Sequence, residues 1–155
     1  MLSRRHLIFA AAAAASAFMF ANPASAAPKH AKTKGGFDVA DAVTAGHMGG
    51  PIKNKAGNTV FILKAKLTDA TPTGANGVKG TVDGVLENPN TGAVVAHVKG
   101  KYAGNANGKG HFKLVALKQP SSGGTPKKVG VIKGHWHDAN PVGTAGAYKG
   151  KAAFK

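Results

Sequence analysis

Lysine and histidine recur on alternate residues through the second half of this chain, and the chemistry such a pattern offers is anion binding or metal ligation. In Val94–Leu117, VVAHVKGKYAGNANGKGHFKLVAL, the odd positions hold His97, Lys99, Lys101, His111 and Lys113. The even positions hold Val94, Ala96, Val98, Gly100 and Tyr102, then Phe112, Leu114 and Ala116. Alternation at period 2 on both sides of a Gly/Asn/Ala loop predicts an antiparallel hairpin with one apolar and one basic face. Lys79 lies on an earlier stretch of the same kind, and Lys133, Lys149 and Lys151 on later ones. The candidate polyanion-binding set is therefore Lys79, Lys99, Lys101, Lys113, Lys133, Lys149 and Lys151.

The residue types narrow the partner. Arginine, whose planar fork suits phosphates and base edges, occurs only at Arg4 and Arg5, so the face is built of lysines acting as hydrated point charges. Aromatic rings fall at the apolar parity, away from the lysines, whereas platforms for single-stranded nucleic acid expose rings among basic groups. The expected partners are anionic polysaccharide, lipopolysaccharide or lipid headgroups met in peripheral membrane contact, with no specific nucleic acid. The competing reading is solubility, because lysines on solvent faces and edges keep β-rich chains from aggregating.

A metal site is the alternative function. His135 and His137 are two apart and share a face, and a plausible register brings His111 beside His137, giving three imidazoles able to ligate zinc or copper. Lys101, Lys113 and Lys149 would repel a cation there and no carboxylate joins the group, so no cofactor is expected. His47 beside Met48 is a copper-type donor pair, but it sits in a Gly-rich turn.

Catalysis finds little support. Past residue 26 the only serines are Ser121 and Ser122, in a loop, and the chain has no cysteine. The six acids, Asp38, Asp41, Asp69, Asp83, Glu87 and Asp138, fall mostly at turns or termini, with no paired carboxylates for acid and base work. Asp83 is expected to face His97 as an isolated ion pair. The expectation is a protein that is not an enzyme, with ligand-free structural duty as a further possibility.

The elements that must position these residues are strands. Asn58–Leu67, Val78–Leu86, the central hairpin, Val129–His137 and Gly146–Phe154 carry the alternation, separated by Pro/Gly/Asn turns. A motif of apolar residue, Lys, Gly, any residue, apolar or small residue recurs at Val78, Val98, Ile132 and Tyr148, as if strands of a meander shared one cross-section. If like faces stay together in the simplest register, Phe112 lies opposite Gly100, Tyr102 opposite Gly110, Trp136 opposite Gly146 and Tyr148 opposite Gly134. Rings over cross-strand glycines favour a sharply coiled sheet. The same registers set Lys99 against Lys113 and Lys133 against Lys149. The predicted fold is all-β: an antiparallel meander, a curled sheet or barrel of six or seven strands, with a short helix after Asp38 closed by Gly46.

Before these strands, residues 1–26 run from Arg4-Arg5 through an apolar stretch to Ala24-Ser25-Ala26, the order of a cleaved export signal. Leu7 to Phe20 is 14 residues, short of the roughly 20 that a spanning helix needs. Ser3-Arg4-Arg5 followed by Leu7-Ile8 resembles the twin-arginine signals of bacteria, with Leu7 where an aromatic is usual. The resemblance implies a periplasmic or secreted protein. Removing residues 1–26 from the 155 leaves 129, with 19 lysines against six acids and a formal charge of +13. Residues 27–36, APKHAKTKGG, read as a basic disordered arm, and 37–155 as one domain, expected to be monomeric.

Overall fold

The computed structural model describes residues 27–38, 46–73, 77–105, 108–137 and 146–155. They form eight strands: β1 (Ala31–Asp38), β2 (Gly46–Lys53), β3 (Thr59–Thr73), β4 (Gly77–Glu87), β5 (Val94–Gly104), β6 (Lys109–Lys118), β7 (Lys127–His137) and β8 (Gly146–Phe154). Each pairs antiparallel with the next and β8 pairs back onto β1, closing a barrel in plain up-and-down order. The closure removes the unpaired edges that an open sheet of this chain would present.

Six or seven strands were expected, and the difference lies at the start of the barrel. Most of the segment read as a disordered arm is β1, and His47–Pro51, read as a loop, lies in β2. The barrel thus begins at Ala31 and not at Phe37. Both strands do alternate. Ala31, Thr33, Gly35 and Phe37 face inward, as do Met48, Gly50 and Ile52, but glycine and threonine at several inward positions hide the hydrophobic signature. Asp38 and Gly46, the ends of the expected helix, are strand residues. Residues 39–45 between them, and the export signal read over 1–26, lie outside the described residues.

The hairpin registers are shifted by two residues from the simplest ones, in the same sense three times. Phe112 faces Tyr102 on one side and Gly134 on the other; Trp136 faces Tyr148 and Gly110; Tyr148 also faces Gly35. Asp83 meets Lys99, while His97 meets Val85. A two-residue slip leaves every side chain on the same face of the sheet, so alternation alone cannot distinguish these registers. Rings do lie beside cross-strand glycines, but Phe112 and Trp136 find them across the β6–β7 pair.

Apolar side chains fill the interior: Phe37, Met48, Leu63, Tyr102, Phe112 and Trp136 are among the most buried. Phe37 stacks on Trp136 at 4.7 Å and meets Tyr102 edge-on at 5.9 Å. Phe112 and Tyr148 meet edge-on at 5.5 Å, and Thr33 and Tyr148 share a buried hydroxyl–hydroxyl hydrogen bond of 2.8 Å. Room for the rings comes from glycines: a Cβ on Gly110 would collide with the Trp136 ring across the β6–β7 pair. Apolar inside and lysine outside is the reverse of a barrel that faces lipid with an apolar band.

Candidate functional site

The observed registers place lysines side by side. Lys101 on β5 pairs with Lys113 on β6, Lys113 with Lys133 on β7, and Lys133 with Lys151 on β8. Lys151 pairs with Lys32 on β1, and Lys32 with Lys53 on β2. All six are exposed, so an unbroken row of like charge crosses six adjacent strands of the eight. Threonine bounds the row at both ends, with Thr81 opposite Lys101 and Thr59 opposite Lys53.

Thr81 in turn pairs with Thr68 of β3, so the row leaves β3 at Thr68 and returns to it at Thr59, nine residues away. At about 3.3 Å per residue along a strand and about 4.8 Å between strands, that offset corresponds to a strand tilt of roughly 40°, ordinary for a closed barrel. The row is therefore a spiral over a convex surface.

Electrostatics set this face apart. Strands β6, β7 and β8 contain no aspartate or glutamate. Glu87 of β4 accepts from Lys64 Nζ at 2.7 Å, and Asp83 lies 3.7 Å from Lys99 Nζ. Among the described residues the ion pairs thus fall on the β3–β5 side, and Lys99 is a member of that pairing and not of the row. Directly opposed like charges weaken a sheet by about 0.2–1 kcal/mol per pair.

Next to the row runs a surface depression. Lys113, Lys133, Lys151 and Lys32 line it together with Val131 and Ala153, which pair with each other in the adjacent outward row. Lys55, Lys128 and His30 line it as well. On the other side of the row a second depression lies among Lys149, Lys34, His111, His135 and His137.

Of the residues expected to bind anions, Lys101, Lys113, Lys133 and Lys151 stand in the row. Lys149 lies one row away between His135 and Lys34, Lys79 sits opposite Ala103, and Lys99 is drawn off by Asp83. The expected contacts Lys99–Lys113 and Lys133–Lys149 do not form; Lys113 and Lys133 contact each other instead. Lys32 and Lys53 were missed. The alternation Ala31-Lys32-Thr33-Lys34 was the available signal, obscured by the glycines that follow.

The imidazole trio is also rearranged. His111 faces His135, while His137 faces Lys109, and His135 has Lys149 on its other side. Among the described residues no group of three or more histidine, cysteine or acidic side chains comes together to hold a metal ion. His111 and His135 are neighbours of the lysine row, two rings at its margin.

The fold and site define a closed eight-stranded barrel with a filled interior and a row of lysines crossing six of its eight strands. Comparison with family models, with curated proteins and with solved structures finds no match for this chain.

Proposed function

We propose that this protein is a non-catalytic, exported β-barrel that binds anionic material of the bacterial envelope through its lysine row. The observation that carries the reading is the row itself: six opposed lysines with no carboxylate on β6, β7 or β8. A sheet selected for stability alone would interleave acids, as β3–β5 does, so an uncompensated row has a cost that a polyanion would offset. The positive field attracts such a ligand over about 10 Å at 0.1 M salt. The twin-arginine-type signal at residues 1–26 supports a periplasmic or secreted setting, where acidic polysaccharide and anionic headgroups are found.

The test is binding of the chain lacking residues 1–26 to heparin and to anionic liposomes across a salt series. Wild type should bind at low salt and be released by added salt. Lys113, Lys133 and Lys151 replaced together by Gln should weaken binding at least tenfold and flatten the salt dependence by up to about one logarithmic unit per lysine. Lys64, Lys66 and Lys99 replaced by Gln should change it less than twofold. Equal loss from both triple variants, or no binding at low salt, would leave the lysines as solubility devices.

A further inference from the structure

The shape of the row says what kind of polyanion fits it, an inference that rests on the binding function just proposed. Six consecutive strands of an eight-stranded barrel cover about three quarters of its circumference. A flat lipid surface or a rigid duplex touching one side reaches the lysines of only about three neighbouring strands, because the others curve away. The two ends of the row, Lys101 and Lys53, lie on well-separated parts of the wall. A chain jointed at each repeat can follow the spiral and meet all six.

We propose that the ligand is a single linear acidic polysaccharide, a polyuronate-type chain, wound across the strands along the lysine row. The depression beside the row favours sugar over a purely ionic chain. Among its lining residues Lys113, Lys133, Lys151 and Lys32 offer charge to carboxylates, and Val131 and Ala153 offer an apolar surface to the C–H faces of sugar rings. Lysine methylenes extend that apolar surface while their ammonium groups reach outward. The spacing also suits one charge per sugar: lysines start about 4.8 Å apart at the backbone and spread outward, whereas a duplex presents a charge about every 1.7 Å of its axis.

The test is a length series of oligouronates, from a disaccharide to chains longer than the row, which spans roughly 24 Å at the backbone. Affinity should climb with each added sugar until the row is covered and then level off. Lys53→Gln with Lys101→Gln, which removes the two ends, should weaken long oligouronates about tenfold and leave the shortest unchanged. Lys113→Gln with Lys133→Gln, at the centre, should weaken both. Val131→Glu, which puts a charge at a half-buried outward position lining the depression, should abolish the gain with length while circular dichroism and melting temperature report an intact barrel. Affinity independent of length, or long chains indifferent to the end pair, overturns the wound geometry while leaving the basic face a binding surface. Tighter binding of linear polyphosphate at matched length, or of anionic vesicles, overturns the polysaccharide assignment. Failure of every probe at low salt removes the underlying function as well.

Discussion

The two sides of this barrel share a glycine device inside and follow opposite rules outside. On β3–β5, lysines meet carboxylates: Lys64 bonds Glu87, and Asp83 lies opposite both Lys66 and Lys99. From β6 through β8 to β1, lysine meets lysine. Inside, both halves rely on glycine to bring neighbouring strands together. Gly84 would drive a Cβ into the backbone of Lys64 and Ala65, as Gly134 would into that of Lys149 and Gly150. Charge arrangement is thus independent of the packing that builds the fold, and the halves differ where a ligand would meet them.

The largest effects should come from testing the shared interior. Gly134→Ala and Gly84→Ala should each cost about 1–3 kcal/mol, because the obstructing atoms include backbone and cannot rotate aside. Gly36→Ala, where nothing lies within 4 Å of the new methyl, should be neutral or stabilising by up to about 1 kcal/mol through the unfolded chain. Urea denaturation of the three variants checks this. A large difference between Gly134 and Gly84 would show that the halves differ inside as well, and would break the comparison.

Those glycines also explain what was legible beforehand. The all-antiparallel, curled architecture could be read from Val94–Leu117 and Ile132–Trp136, where apolar residues alternate with lysine strictly enough to fix the faces. Neither β1 nor β2 could be read so, since Gly35, Gly50 and Thr33 occupy inward positions where hydrophobic residues give the signal. Register was illegible for a different reason. Period-2 alternation determines pairing only to the nearest two residues, and the choice between Lys99–Lys113 and Lys101–Lys113 depends on turn geometry. The basic face was therefore visible as a composition, and the unbroken row was not.

A smaller effect separates the interior beneath the basic half. Burial pushes the Tyr148 hydroxyl above its ordinary value near 10, and the hydrogen bond with Thr33 pulls in the opposite direction. The folded protein holds this proton longer than the unfolded chain, so its contribution is complete below about pH 10 and is lost as pH rises through the folded value. Tyr148→Phe should cost about 1–2 kcal/mol at neutral pH by leaving the Thr33 hydroxyl unpaired. Above pH 10 the gap between wild type and variant should shrink. The outer row is the same in both proteins, so its effect cancels in the difference. A gap that stays constant to pH 11 would mean that Tyr148 ionises alike in both states.

Smallest and most direct is a charge reversal on each side. Lys133 has lysine across both its neighbours, Lys113 and Lys151, so Lys133→Glu turns two repulsions into two attractions. Lys66 lies between His47 and Asp83, so Lys66→Glu sets two carboxylates face to face. At low salt the first should stabilise the barrel by about 0.5–2 kcal/mol and the second destabilise it by about 0.2–1 kcal/mol. Both differences should fade toward 0.5 M salt as exposed charges are screened. The same Lys133→Glu should weaken polyanion binding, and that opposition is the informative part. A substitution that raises stability while lowering affinity marks a position where the sheet carries repulsion for the sake of a ligand. If Lys133→Glu stabilises and binding is unmoved, the row is a surface that the barrel merely tolerates.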